Sequence, residues 1–274
     1  MPELPEVEIV RQSLEKILTP QIKILCADVR RKDIRFPIPK TLAASLKDQN
    51  IIQIRRRAKY LLFEMPNGIM LNHLGMTGSW RLLKDQEELG NHDHLSLTLS
   101  NKKILVFRDP RRFGMLDFFK KSEEISNIRL KNLGPEPLDE NRFTKEYLFQ
   151  VTRKRQTTIK AFIMNQKFVV GVGNIYASEA LFNAKISPLR KAARMTCPEA
   201  GRLRDSIFQI LKSAITMGGS SIRDFVSGDG SYGGFQNQFL VYGRDKDSCK
   251  VCKTRLKSKV ITGRSTFWCP TCQK

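Results

Sequence analysis

The chain has 274 residues, with 48 Lys plus Arg against 27 Asp plus Glu, a formal net charge of +21. Its composition, 41% hydrophobic and 27% charged, excludes disorder as the dominant state, and at this length two modest domains are expected. The longest apolar runs, such as Phe168 to Val172, fall well short of the roughly 18 residues of a membrane span; the acidic opening lacks the basic start of a secretory signal, so a cytoplasmic protein without a membrane partner is expected. The charge then speaks to partners, not fold: it fits a polyanion, of which nucleic acid is the commonest there, with ribosome association and plain solubility as blander accounts.

Along the chain, Val7, Val10, Leu14, Ile17 and Leu18 recur at spacings of three and four, which predicts an amphipathic helix over 6–18, entered through Pro5. From about residue 50 to 119 the pattern becomes short runs of β character: Ile51 to Ile54, Tyr60 to Met65, Gly68 to Leu74, Trp80 to Leu83, Leu95 to Leu99 and Lys103 to Phe107. Regular short strands separated by turn residues suggest an antiparallel β-sandwich. The prolines of Leu133-Gly134-Pro135-Glu136-Pro137-Leu138 mark a stiff linker and a domain boundary. Beyond it the period is helical again, over 146–151, 158–165, 175–183 and 203–216, the last ending at Gly218-Gly219. In Val170-Gly171-Val172-Gly173-Asn174 the asparagine is expected to cap the following helix, on whose first amides a phosphate would fit; a simple tight turn is an equal reading. Residues 227–238 are rich in glycine and are expected to form a mobile loop that orders on substrate.

Cys249, Cys252, Cys269 and Cys272 form two Cys-x2-Cys pairs separated by sixteen residues, the spacing of a structural zinc site with one Zn2+ and four thiolates. A disulfide framework is disfavoured without an oxidising compartment. The residues between the pairs suggest a β-hairpin turning at Gly263. The segment 243–274 carries nine Lys or Arg against two Asp, +7 in all, or about +5 once a −2 zinc tetrathiolate is counted. Such a basic hairpin suits phosphate contacts, although zinc ribbons also bind protein. Cys26 and Cys197 have no partners by spacing and read as ordinary thiols.

Four strings in order, the opening Met-Pro-Glu-Leu-Pro-Glu-Val-Glu, the Asp109-Pro-Arg-Arg-Phe-Gly114 stretch, the Gly171 to Glu179 stretch and the terminal cysteine spacing, closely resemble the formamidopyrimidine-DNA glycosylase family over nearly the whole chain. The resemblance implies a two-domain α+β fold. Its parts would be an N-terminal helix and antiparallel β-sandwich (1–132), a linker (133–141), a helix-two-turn-helix domain (142–228), a lesion-recognition loop and connection (229–242) and a zinc finger (243–274). It implies a bacterial, nucleoid-associated monomer of base excision repair that acts on duplex DNA containing oxidised bases. As a bifunctional glycosylase and lyase it would excise 8-oxoguanine and formamidopyrimidines.

The opening string makes sense if Met1 is removed, so that the secondary amine of Pro2 is the nucleophile; an α-amino group, with a pKa near 8, is partly unprotonated at neutral pH. Glu3 resembles the general acid/base and Glu6 a second carboxylate that shapes the site, although both acids would also favour the start of a helix. Lys59 and Arg264 join the catalytic set as grips on phosphates near the lesion, and His73 and Asn174 match further phosphate contacts. The arginines 55–57 before Lys59 read equally as a solvated strand edge. Met76, Arg111 and Phe113 match the wedge that fills the gap left by an extruded base, the alternative for Met76 and Phe113 being core packing. His92 is carried with the DNA-binding residues; a metal pair with His94 is disfavoured against a structural role at a strand start. Gln156 stands where close relatives are expected to have lysine, so base preference follows less securely than reaction type. The rivals are an endonuclease VIII-like enzyme for oxidised pyrimidines, which typically begins Pro-Glu-Gly-Pro-Glu, and a non-catalytic zinc-ribbon protein that binds nucleic acid.

Overall fold

The structure is a computed structural model and describes residues 1–84, 86–220 and 233–274. The chain divides into two compact units, one of residues 1–131 and 218–233 and one of residues 132–217 and 234–274. The first six residues of the 227–238 loop lie outside the described residues.

The first unit begins with helix α1 (Leu4–Ile17), which buries Val7, Val10 and Leu14, and contains a second, short helix α2 (Leu42–Leu46). Strands β1 (Lys23–Val29), β2 (Gln49–Asn50), β6 (Ser79–Leu82), β7 (Asp93–Leu99) and β8 (Ile104–Arg108) form one antiparallel sheet in the order β2-β1-β7-β8-β6. Strands β3 (Gln53–Arg57), β4 (Tyr60–Met65), β5 (Gly68–His73) and β9 (Met115–Phe119) form a second, in chain order. Both sheets and α1 contribute to one apolar core, with Ile24, Leu97 and Phe107 from the first sheet and Ile54, Phe63 and Met70 from the second. Trp80 sits at its centre, 5.4 Å from the Phe63 ring and 5.2 Å from the Phe107 ring. Its indole N–H donates to Asn72 Oδ1 at 2.9 Å, so the one polar group of this ring is satisfied in the core. The expected sandwich is present. The strand expected at 51–54 begins two residues later, as β3, and β1, β2 and β9 are additional strands, β1 pairing with β2 and β7 and β9 with β5.

The second unit holds α3 (Lys145–Thr152), α4 (Ile159–Ile163), α5 (Asn174–Asn183) and α6 (Cys197–Thr216). Helix α6 starts six residues before the expected Leu203, because Thr196 and Glu199 form a capping box with Pro198 in the first turn. Arg190 clamps the Glu199 carboxylate through two bonds of 2.7 Å and, as the main cause, holds its pKa down at about 2. Strands β10 (Lys257–Ile261) and β11 (Arg264–Trp268) form the expected hairpin. Thr262 and Gly263 both have positive φ, 46° and 72°, as a tight two-residue turn requires.

The end of the 227–238 segment is not a loose loop: Phe235–Gln238 is a 3-10 turn with Phe235 buried. Rings of Tyr176, Phe235, Phe239, Tyr242 and Phe267 follow one another at 5.3 to 6.0 Å, from α5 to the zinc hairpin. Beside them the buried Glu179 carboxylate of α5 accepts the backbone N–H groups of Leu240, Val241 and Tyr242 at 2.8 to 3.0 Å. Burial pushes the Glu179 pKa up against the pull of these bonds.

Candidate functional site

The start of the chain is packed. Pro2, Glu3 and Glu6 are buried, and Met1 is exposed. Glu3 N donates to Glu6 Oε2 at 2.8 Å, closing the first turn of α1. The other oxygen of Glu6 accepts from both Ser220 N and Ser220 Oγ at 2.9 Å. Gly219, at φ +79°, delivers Ser220 to this carboxylate, and a Cβ added to Gly219 would lie 3.3 Å from Glu6 Oε1. The backbone of Glu3, next to Pro2, is therefore held by the buried Glu6 carboxylate, which is itself held by Ser220, 214 residues further along the chain.

Lys59 is the second residue of the hairpin turn between β3 and β4, which Ala58 opens at φ +55°. Lys59 is buried, at 7% exposure. Of the arginines preceding it, Arg55 is bound by the Glu124 carboxylate at 2.7 and 2.9 Å and by Glu64 at 3.1 Å, while Arg56 joins Glu8 to Ala58 O. They are paired structural charges and not a solvated edge. His73 ends β5 with its ring edge-on to Tyr60 at 5.0 Å. Its Nδ1 accepts Gly75 N–H at 2.9 Å, which leaves Nε2 as the donor of the neutral ring. Burial first, then the nearby cations Lys59 and Arg35, push its pKa down to about 4.

Met76, Arg111 and Phe113 are brought together by one buried acid. Asp109 accepts Thr77 Oγ1 at 2.6 Å and Gly114 N at 2.7 Å, and the same Thr77 hydroxyl accepts Arg111 N at 3.2 Å. A Cβ on Gly75 would strike the Phe113 carbonyl carbon at 2.3 Å, so the turn carrying Met76 lies backbone to backbone on the turn carrying Phe113. Phe113 is 43% exposed and so is not a core residue, and the Arg111 guanidinium sits 4.9 Å from its ring centre. His92 is exposed just before β7 and its carbonyl accepts Asp109 N at 2.9 Å; His94 is buried with Nε2 2.9 Å from Asp109 O. Neither belongs to a metal-ligand cluster among the described residues.

In the second unit Asn174 is not the cap of α5. Gly173 takes that position, and the Asn174 side chain reaches the zinc hairpin instead, Nδ2 donating to Ser265 O at 3.0 Å. A residue that sequence reasoning passed over makes this junction. Lys160 of α4 is buried at 2% exposure, and its ammonium donates to Asn174 Oδ1 at 2.5 Å, Ser265 O at 2.9 Å and Thr266 Oγ1 at 2.8 Å. All three of its protons have acceptors, which offsets the cost of burying the charge. The visible signal was a lysine between Ile159 and Phe162 in a helix that is buried almost all round. Arg264, the first residue of β11, is exposed directly before this anchor.

The four sulfurs of Cys249, Cys252, Cys269 and Cys272 lie within 4.8 Å of one another. The 249–272 and 252–269 pairs are 3.9 and 3.4 Å apart. Zn–S bonds of about 2.3 Å at tetrahedral angles place sulfurs roughly 3.8 Å apart, so the cluster fits a closed four-thiolate metal site. Burial pushes the thiols of Cys269 and Cys272 up, while hydrogen bonding from Thr254 draws that of Cys252 down to about 6. Gln273 braces the site from outside, its Oε1 accepting Cys269 N and its Nε2 donating to Ile186 O, each at 2.9 Å. Among the described residues no helix is long and apolar enough to cross a membrane.

With this geometry in place, known proteins give the class. Residues 1–116 match the formamidopyrimidine-DNA glycosylase N-terminal domain, 133–226 the H2TH domain of the same enzymes, and 247–274 the zinc finger found in FPG and IleRS. The order is that of a DNA glycosylase with an N-terminal sandwich domain, a helical H2TH domain and a zinc-finger hairpin. The chain is 48% identical to the formamidopyrimidine-DNA glycosylase of Bdellovibrio bacteriovorus and 46% identical to that of Thioalkalivibrio sulfidiphilus, over the full length of both chains in each case. Among solved structures it is similar to a Lactococcus lactis variant bound to DNA containing Fapy-dG, at 34% identity and a TM-score of 0.92 over all of both chains. A Lactococcus lactis complex with abasic-site DNA has a TM-score of 0.91 at 35% identity over 99% of both chains. The Thermus thermophilus protein has 0.89 at 36% over 99% of this chain and 98% of that one. The chain belongs to the formamidopyrimidine-DNA glycosylase family.

Two outcomes follow from these contacts. Lys160→Met should leave Asn174 Oδ1 and Thr266 Oγ1 without their donor and lower unfolding stability by about 1–3 kcal/mol, read by urea denaturation; an unchanged midpoint would mean that the junction contributes nothing. Because His73 binds a proton less readily folded (about 4) than unfolded (6.5), the unfolded state gains protons first as pH falls, and stability is lost from about pH 6.5 down to 4. His73→Gln should flatten that part of the stability profile; a parallel profile contradicts the assignment.

Proposed function

We propose that this protein is a bifunctional DNA glycosylase and AP lyase that excises oxidised purines, 8-oxoguanine and formamidopyrimidines, from duplex DNA. The observation that carries this reading is the buried Pro2-Glu3 start, locked by Glu6 and Ser220, in a member of this family. With Met1 attached the Pro2 nitrogen is an amide without a reactive lone pair. Met1 is exposed, within reach of an aminopeptidase, and its removal makes Pro2 a secondary amine.

That amine attacks C1′ of the damaged nucleoside. The glycosidic bond breaks, and the base leaves with the bonding pair and takes up a proton; the amine then loses its own proton, the C1′–O4′ bond opens with a proton going to O4′, and an iminium remains between the Pro2 nitrogen and C1′. The iminium acidifies C2′–H; loss of that proton expels the 3′ phosphate, a second elimination expels the 5′ phosphate, and water releases Pro2. Glu3, next to the nucleophile, serves as general acid and base. Glu6, already saturated by Glu3 N and Ser220, shapes and holds the site.

Extrusion of the base costs a few kcal/mol of unstacking, and the exposed Phe113 with Met76 and Arg111 is suited to fill the gap. Lys59, His73, His92, Asn174 and Arg264 take phosphates, contacts that fix register without reading sequence. The four cysteines hold one structural Zn2+ that stiffens the Arg264 hairpin. The protein acts as a cytoplasmic, nucleoid-associated monomer.

One preparation freed of Met1, offered duplexes with 8-oxoguanine or oxidised thymine, tests the substrate class. Preferential excision of 8-oxoguanine is expected, with Glu3→Gln retaining binding and losing excision by about 100-fold or more. Preference for oxidised thymine, or full activity in Glu3→Gln, contradicts the reading.

A further inference from the structure

A cavity of about 100 Å3 beside the Phe113 turn is walled by Arg35, Phe36, Tyr60, His73, Phe113 and Arg129. At roughly 30 Å3 per water it has room for about three waters, and likewise for one phosphate group. Its wall carries two guanidiniums and no carboxylate. Both guanidiniums lie on the ring of Phe36, Arg129 at 3.9 Å and Arg35 at 5.4 Å from its centre. Two like charges are thus stacked on one aromatic ring, with no acid in the lining to neutralise them. Arg129 Nε is buried and has no hydrogen-bond partner among the described residues, an orphan of the kind that native structures seldom keep.

The other groups around this space are donors too. His73, its Nδ1 occupied by Gly75 N–H, presents Nε2–H in its neutral form. The same cations act on the ionisable groups of the wall: Arg35 and Lys59 disfavour a proton on His73, while Arg129 and Arg35 draw the Tyr60 hydroxyl down against the larger effect of burial. A small chamber of cations and N–H and O–H donors, lacking acceptors of negative charge, is complementary to an oxyanion.

We propose that this pocket is a phosphate subsite in which Arg129, together with Arg35, takes one backbone phosphodiester of the DNA strand lying along the Phe113 turn. The proposal rests on the DNA-processing function above and adds Arg129 to its contacts. Bidentate N–H donation from a guanidinium already ordered by stacking suits a phosphate, because little rotamer freedom is lost on binding.

Binding of an undamaged duplex, measured across a salt series, tests it. Arg129→Gln keeps a flat amide over Phe36 and removes the charge; it should weaken binding several-fold and reduce the slope of log affinity against log salt by about 1. Arg129→Lys should restore most of the slope, and Arg35→Gln should reproduce the loss. At constant ionic strength inorganic phosphate should compete with duplex for the unmodified protein and lose that effect in Arg129→Gln. Variants that melt with the parent protein yet bind with unchanged affinity and slope overturn the assignment, and so does stabilisation by inorganic phosphate alone without any change in DNA binding. A duplex carrying an abasic-site analogue separates the two levels. If the parent protein does not bind it, the proposed function itself fails; if it does and the Arg129 variants match it, only the phosphate subsite fails.

Discussion

Everything proposed for the first unit depends on a carboxylate that is itself not expected to react. Glu6 accepts three hydrogen bonds, from Glu3 N, Ser220 N and Ser220 Oγ. A chain terminus ordinarily frays, since few contacts repay the entropy of ordering it. Here Pro2 follows an exposed Met1 and is itself buried, α1 begins at Leu4, and the acid in its first turn ties it to a glycine-borne serine late in the chain. The proposed role of the Pro2 nitrogen as nucleophile needs this placement, because attack on a sugar carbon requires the amine to be held near one position. Glu6 supplies that order without a metal or a disulfide.

The second unit solves a related problem with a buried cation. Lys160 gathers the start of α5, through Asn174, and β11, through Ser265 and Thr266, on one ammonium. Glu179 does the converse, taking three backbone N–H groups from 240–242 into one carboxylate. The zinc-type hairpin is therefore fixed to the helical domain by one buried charge of each sign and by a file of aromatic rings, and the exposed Arg264 rides on that fixed hairpin. This refines the meaning of the +21 charge. Part of it is structural, as with Arg55 on Glu64 and Glu124, Arg56 on Glu8 and Arg190 on Glu199. In the proposed function it is the remainder that meets DNA, at positions such as Arg111 and Arg264, which stand exposed in and beside ordered turns.

How much of this was legible in the sequence depends on range. The β-sandwich, the helices and the hairpin turn at Gly263 were readable because each is set by local period or turn chemistry. β1 was missed because its bulge between Ile24 and Cys26 breaks the alternation. The start of α6 was missed because its first turn is specified by Thr196, Pro198 and Glu199 and not by apolar residues. Asn174 was misread for a similar reason: asparagine before a helix suggests a cap, but Lys160 and Ser265, 14 and 91 residues away, outbid the helix for its side chain. The identity of the site residues was carried by motifs; their support, Asp109 under the wedge turns, Ser220 on Glu6 and Lys160 on Asn174, comes from contacts across the chain that no local pattern announces.

The central claim is that the nitrogen of Pro2 forms the covalent bond to DNA. Protein freed of Met1, mixed with 8-oxoguanine duplex and borohydride, can be digested and the reduced adduct located by tandem mass spectrometry. The account predicts that the deoxyribose remnant sits on the Pro2 nitrogen of the N-terminal peptide and disappears when Met1 is retained. An adduct on a lysine such as Lys59, or no adduct from fully processed protein, would contradict it.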